Sequence, residues 1–345
     1  MSKRGHSGPQ NGRLRSSGIS SGRPKQPSQK AGETCDTGQI LYGISNIYAV
    51  AVGGGIQSCR IKGKILRGSS EPSYNPLAVG DWVRVLPDPH SSDKGWISER
   101  SARKSSLVRF NRKRNAPQVI AANVDQLICV TSAKEPPFRP RFIDRMLISA
   151  QIGNIEPLIF VNKSDLGIGE PDRVRLQDFQ DFGCLVFYGS ALTGDGLPEL
   201  KERLRGKLSV FAGQSGVGKS LLLNRIFPGL DLKIGDLSRK YNRGGHTTNY
   251  AIMLEQENGC RVIDTPGIRE LDIYGITPRQ LAFYFPEFAA AGADCEYTPC
   301  LHIGEPGCRV KERVELGTIH RDRYASYTRI YETLKRFQKE FPERG

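Results

Sequence analysis

The sequence contains no apolar run near the roughly 18 residues that a membrane-spanning helix needs, which excludes an integral helical membrane protein. Cysteine is sparse: eight in 345 residues are too few for a disulfide scaffold and fit reduced cytosolic thiols or a metal site. No apolar core of a secretory signal stands at the N-terminus, and no internal repeat is visible. Acidic residues are in deficit, 36 against 50 Lys and Arg, for a formal net charge of +14. That excess calls for an anionic partner, with nucleic acid first. The remaining composition, 38% hydrophobic and 25% charged, suffices to bury a core. The length exceeds the roughly 250–300 residues at which single cores stop growing, so two or three domains are expected.

The charge is unevenly spread. Residues 1–36 are rich in Gly, Ser, Pro, Arg and Lys, with seven basic and two acidic residues and almost no large apolar side chain. Such a segment cannot bury enough surface to fold and reads as a disordered basic arm that touches nucleic acid. Residues 37–118 carry thirteen basic and five acidic residues and read as short strands (QILYGISNIYAVAV, QSCRIKGKIL, DWVRVLPD) between turn formers. This pattern predicts a small β-barrel of the oligonucleotide-binding (OB) type, an RNA-binding module. Arg103, Lys104, Arg109, Arg112, Lys113 and Arg114 cluster near its end, where a phosphate-contacting surface is expected.

Residues 119–285 are nearly neutral, with twenty basic and nineteen acidic residues. Apolar strands (DQLICVTS, EPLIFVNK, CLVFYGS, LSVFAG, CRVIDT) alternate with helical stretches such as PRFIDRMLISAQI, which predicts a doubly wound α/β domain. Residues 286–345 balance ten basic against ten acidic residues and end in an amphipathic helix over roughly 319–340.

Gly213-Gln214-Ser215-Gly216-Val217-Gly218-Lys219-Ser220 matches GxxxxGK[ST] between a strand and a helix, the context that makes it a P-loop. Its glycines let backbone N–H groups wrap the β-phosphate, Lys219 would reach the β and γ oxygens, and the Ser220 hydroxyl would ligate Mg²⁺. Asp264-Thr265-Pro266-Gly267 fits DxxG: Asp264 would act on Mg²⁺ through its waters, and the Gly267 N–H would sense the γ-phosphate. Asn162-Lys163-Ser164-Asp165 fits NKxD, whose aspartate accepts from guanine N1–H and the 2-amino group, a donor pair adenine lacks. Ser190-Ala191 follows the next strand, where the Ala191 N–H could meet guanine O6. These motifs specify GTP with Mg²⁺.

Their order is inverted. NKxD and Ser-Ala precede the P-loop and DxxG, so the domain is circularly permuted, a rearrangement that preserves strand neighbours in space. Between P-loop and DxxG, Arg243-Gly244-Gly245-His246-Thr247-Thr248 occupies the place of the first switch loop. Thr247 or Thr248 could close on Mg²⁺ and the γ-phosphate. Ile268 stands where Ras-like GTPases place a water-orienting glutamine, and its side chain cannot position water. His246 is a candidate replacement, with an ordinary loop histidine the alternative.

Cys295, Cys300, His302 and Cys308 form C-x4-C-x-H-x5-C. Three thiolates and an imidazole are a closed tetrahedral Zn²⁺ set, hence a structural site, one ion per chain. Cys35, Cys59, Cys129, Cys184 and Cys260 are scattered and read as small apolar groups.

With these pieces in place the sequence resembles the circularly permuted RsgA (YjeQ) GTPases, which depend on the small ribosomal subunit. VGDWV, ANVDQLICV, FVNKSDL, GSALTGDGL, FAGQSGVGKSLLLN, GGHTT, IDTPGIREL and the Cys/His cluster carry the resemblance over about 39–335. It implies a multidomain fold: an OB barrel, a permuted P-loop GTPase core and a small, mostly α, zinc-binding C-terminal domain. It also implies a cytoplasmic, monomeric GTPase that cycles between GTP and GDP. Such a protein binds the small ribosomal subunit and its rRNA, assists late subunit maturation and is stimulated by the subunit. Ile268 with His246 fits that family's departure from Ras-like catalysis. The arm lies outside the resemblance. Gln214 stands where members often differ, with little effect expected because backbone groups cradle the phosphates. The rival reading is an RNA-binding assembly scaffold in which GTP only locks a conformation. A GTPase serving tRNA or a membrane surface is disfavoured by the barrel and the zinc cluster.

Overall fold

Alternating buried and exposed side chains build the first five strands, β1 (Asp36–Ile44), β2 (Ile47–Val52), β3 (Gly55–Ile61), β4 (Trp82–Asp88) and β5 (Ser91–Arg100). In the computed structural model these pair in the order β1-β2-β3-β5-β4, and β4 returns to β1, closing a five-stranded barrel. Ile40, Val50, Cys59, Val83, Val85 and Ile97 fill it, each at most 2% exposed. Each such Val or Ile contributes about 1.5–3 kcal/mol by leaving water. The structure describes residues 35–44, 46–63, 66–68, 75–228, 251–256, 259–264 and 273–341. All of them fall in the second of two units, Thr34–Gly345, so nearly all of the basic arm lies outside the described residues.

The VGDWV turn shows what a charge count hides. Gly80 has φ +91°, and a Cβ there would sit 2.0 Å from the Ala122 carbonyl oxygen, so glycine is required. The next residue, Asp81, is fully buried; it accepts from the Ala78 N–H at 2.8 Å and from Arg103 Nε and Nη2 at 2.7 and 2.8 Å. Arg103 therefore does not belong to a phosphate-contacting surface: its guanidinium is consumed by a buried carboxylate. Strands β6 (Ser106–Asn111) and β7 (Ala116–Ala122) form a separate hairpin spanning residue 118, where the sequence reading ends the barrel. At the hairpin's end Phe110 packs on Phe337 and Phe341, and Arg112 lies 3.4 Å from Glu340.

The next sheet runs β10-β9-β8-β11-β13-β12, from β8 (Gln126–Ser132), β9 (Glu156–Asn162), β10 (Leu185–Tyr188), β11 (Leu208–Gly213), β12 (Ile252–Glu255) and β13 (Arg261–Asp264). All pair in parallel except β12, which is antiparallel to β13 and joins the barrel by pairing Ile252 with Tyr42. Every residue of β8 and β11 is buried, as helices on both faces require. Helices α1 (Pro140–Ile152) and α2 (Glu170–Asp181) place Ile143, Met146, Leu176 and Phe179 on one face. Helices α3 (Leu197–Leu204) and α4 (Lys219–Ile226) place Leu200, Leu204, Leu222 and Leu223 on the other.

Beyond the sheet, short helices at Pro286–Gly292 and Arg309–Glu315 and a long one at Arg321–Glu340 enclose Phe285, Phe288, Tyr327, Ile330 and Leu334. The long helix starts two residues later than its apolar pattern suggests, because His320 caps it, Nδ1 accepting from the Asp322 N–H at 3.0 Å. The expected architecture of barrel, permuted α/β core and helical Cys/His end is the one observed.

Candidate nucleotide and metal sites

Parallel strands deliver their C-terminal ends to one edge of the sheet, where α/β folds bind ligands. Here β9 ends at Asn162, β10 runs into Ser190-Ala191, β11 into the glycine-rich loop, and β13 ends at Asp264. The motifs separated and reordered along the chain thus converge on one edge. Gly218, at φ +87°, caps α4 and opens the helix at Lys219, which aims the helix N-terminus at that edge. Val217 is 2% exposed and anchors the loop in the core, while Gln214, Gly218 and Lys219 are half-buried and Ser215, Gly216 and Ser220 exposed.

Asn162 fastens three of the segments together. It is 2% exposed; its Nδ2 donates to the Val217 carbonyl at 2.8 Å, and its Oδ1 accepts from the Ala191 N–H at 2.9 Å. The Ala191 N–H, read from sequence as a guanine donor, is thus engaged by Asn162. A Cβ on Gly218 would come within 2.4 Å of the same Nδ2, so this glycine is needed for fit as well as for its φ. Lys163, at φ +59°, donates from Nζ to the Glu135 carbonyl, and Asp165 stands exposed in the 3₁₀ turn Ser164–Leu166. Ser190 is fully buried and its Oγ accepts from the Leu192 and Thr193 N–H groups, both at 3.2 Å, which fixes the loop. His246, Thr247, Thr248, Gly267 and Ile268 lie outside the described residues. The Val217 and Glu135 contacts have no signature in the sequence, since both partners use backbone carbonyls.

Among the described residues, one Cys/His group has ligand atoms gathered closely: those of Cys295, Cys300, His302 and Cys308 all lie within 4.8 Å of one another. His302 Nδ1 is 3.7 Å from Cys295 Sγ and 3.5 Å from Cys308 Sγ. A tetrahedral ion with bonds of about 2.0 Å to nitrogen and about 2.3 Å to sulfur spaces such atoms by about 3.5 Å, so this donor set fits zinc. Burial pushes the Cys300 thiol up to about 12 and lowers the His302 imidazole, keeping the histidine neutral, the form that ligates. Backbone carbonyls of the loop are held by Tyr324 (to His302 O, 2.8 Å) and Tyr327 (to Leu301 O, 2.7 Å). The Glu305 carboxylate accepts from the N–H groups of Leu301, Ile303 and Gly304 at 3.0–3.1 Å. Burial acts to raise that carboxyl, and the backbone donors outweigh it, leaving it below the usual carboxylate range. Of the other cysteines, Cys59, Cys129 and Cys260 are buried and Cys35 and Cys184 half-buried.

Comparison with known proteins places this geometry. Residues 37–97 match the RsgA N-terminal domain and residues 100–274 the RsgA GTPase. The small ribosomal subunit biogenesis GTPase RsgA of Borreliella burgdorferi is 37% identical over 302 residues, covering 87% of this chain and 97% of that protein. The crystal structure of YjeQ from Thermotoga maritima is 34% identical, with a TM-score of 0.68 over 87% of this chain and 99% of the other. YloQ, described as a circularly permuted GTPase, is 28% identical with a TM-score of 0.64 over 90% and 99%.

Proposed function

The chain belongs to the RsgA GTPase family, and from that premise we propose that it hydrolyses GTP in the biogenesis of the small ribosomal subunit, bound to the subunit and its rRNA and stimulated by it. The observation that carries the reading is the convergence of permuted NKSD, Ser-Ala, P-loop and Asp264 on one sheet edge, locked by Asn162. In it, Asp165 reads the guanine edge, with Asn162, Lys163, Ser164, Ser190 and Ala191 shaping the base pocket. Gly213 to Ser220 wrap the phosphates, with Lys219 neutralising the β and γ oxygens. Ser220 and Thr247 or Thr248 would hold Mg²⁺, with Asp264 acting through its waters, and the bound ion would offset charge on the transferring phosphoryl group. Gly267 senses the γ-phosphate. His246 orients the attacking water, a task the apolar Ile268 cannot perform.

Cys295, Cys300, His302 and Cys308 hold one structural zinc. The barrel, with its excess of basic residues, and the arm bind RNA. The chain acts as a monomer in the cytoplasm; no helix among the described residues is long and apolar enough to cross a membrane.

Single-turnover hydrolysis with and without purified small subunits tests this. The subunit should raise the rate at least roughly tenfold, a barrier lowered by about 1.4 kcal/mol. Lys219→Ala should abolish hydrolysis, and His246→Ala should retain GTP binding while losing the stimulated rate. Equal rates with and without subunits would refute stimulation. Wild-type protein no faster than Lys219→Ala would return the scaffold reading.

A further inference from the structure

The whole chain holds two tryptophans, and both stand on the outside of the barrel. Trp82 is 40% exposed and Trp96 39%, although each has an immediate strand neighbour, Val83 or Ile97, that is fully buried. The pleat explains their direction: Val83, Val85 and Ile97 point inward, so Trp82, Arg84 and Trp96 point outward. The register pairs Leu86 with Trp96 and Arg84 with Glu99, which puts both indoles on one outer surface. Four residues of strand rise and one strand spacing separate them by about 14 Å.

Cations surround the rings. Arg60 lies opposite Trp96 on β3, Lys94 is two residues away on the same face, and Arg84 stands between the indoles. Arg84 also reaches Glu99, an acid of this face, at 3.5 Å, with both side chains exposed. An apolar protein partner would call for a contiguous patch rather than two separated rings among charges. A paired A-form helix keeps its bases stacked, out of reach of both indoles. Unpaired bases offer π-faces, and the intervening phosphates match the cations.

We propose that Trp82 and Trp96 are stacking platforms for two unpaired bases of single-stranded RNA, with Arg60, Arg84 and Lys94 on the neighbouring phosphates. This rests on the barrel being RNA-binding, and adds that the bound strand is unpaired and held by its base faces, so binding tolerates sequence.

Because the chain has no other tryptophan, its own fluorescence reports the event, and a strand held by the arm alone leaves it unchanged. The full-length protein is titrated at fixed salt with fluorescently labelled oligouridine and with a duplex RNA of equal length, reading anisotropy and tryptophan emission together. Oligouridine should raise anisotropy and quench emission, whereas the duplex should not quench. Trp82→Ala and Trp96→Ala should each weaken oligouridine binding roughly 5- to 150-fold. Trp82→Phe and Trp96→Phe should restore most of it, and thermal melts confirm that each variant folds. Rising anisotropy with unchanged emission, and alanine variants that bind like wild type, would overturn the platforms and leave the barrel's RNA binding standing. Equal quenching by duplex would overturn the single-strand assignment. No anisotropy change with either RNA would overturn both readings.

Discussion

Asn162 braces three segments at the sheet edge through its side-chain amide alone. Its two amide atoms have opposite polarity, and each meets its complement: Nδ2 the Val217 carbonyl, Oδ1 the Ala191 N–H. Replacing it by alanine leaves a buried donor and a buried acceptor unpaired, at about 1–3 kcal/mol each. Asn162→Asp keeps the bond from Ala191 but turns a second acceptor toward the Val217 carbonyl, so it should be no milder than alanine. The expected result is a loss of GTP affinity of at least roughly tenfold in both variants. Equilibrium titration with a fluorescent GTP analogue measures it; wild-type affinity in Asn162→Ala would show that the three loops hold themselves in place. The sequence revealed Asn162 as the first letter of a motif and could not reveal this bracing, because Val217 is 55 residues away and contributes only a carbonyl.

Elements differ in how much of their stability is local. The central strands are legible because all of β8 and β11 except Gln126 is apolar or small enough to bury, Gln126 being buried with its Nε2 donating to Ser209 Oγ at 2.9 Å, and the P-loop is legible because its chemistry lies in consecutive backbone groups. The Cys295–Cys308 loop is different: its ligand spacing is plain in the sequence, yet what holds it is not. Tyr324 and Tyr327 reach back 22 and 26 residues to its carbonyls, and Glu305 caps three of its N–H groups. These bonds pin parts of the loop, while at its centre Cys295, Cys300, His302 and Cys308 are three thiols and a ring with little attraction for one another, which the proposed structural zinc would hold together. Removing metal with a strong chelator should therefore unfold this loop while leaving the barrel intact. Limited proteolysis should open new cuts between residues 293 and 308, and the Trp82 and Trp96 emission should not shift. A metal-free protein as protease-resistant as the loaded one would refute a structural ion.

Across the whole molecule, the least legible feature is a buried ionic cluster between the α/β core and the helical C-terminal segment. Asp144 on α1 is fully buried and pairs with Arg323 of the long C-terminal helix; Arg323 also donates to Glu287 at 2.6 Å, and its guanidinium lies 4.2 Å from the Phe285 ring centre. Arg175 on α2 lies 3.9 Å from Asp144 and 2.6 Å from Asp178, and Arg141 donates to Asp322 at 2.7 Å. Burial alone would lower the Arg323 guanidinium; Asp144 and Glu287 outweigh it and hold it above its ordinary value, so it stays charged. No reading of local pattern finds a partner 179 positions away, and the same blindness made Arg103 look free for RNA when Asp81 holds it. Net charge by segment is visible in the chain; which charges cancel inside the fold is not. A cluster of this kind is costly to break singly, since removing Arg323 strands Asp144 and Glu287 in a dry interior at roughly 3–5 kcal/mol. Arg323→Met should lower stability by about that amount, whereas Asp144→Leu should cost less, because Arg323 keeps its bond to Glu287 at 2.6 Å. The double variant removes the principal pair together, so it should lose clearly less than the two single losses combined, with a coupling of about 1–3 kcal/mol. Urea unfolding of the four proteins, followed by circular dichroism, closes the cycle. Strict additivity would mean that apolar packing of Phe285, Phe288 and Tyr327, rather than the charges, fixes the C-terminal segment against α1 and α2.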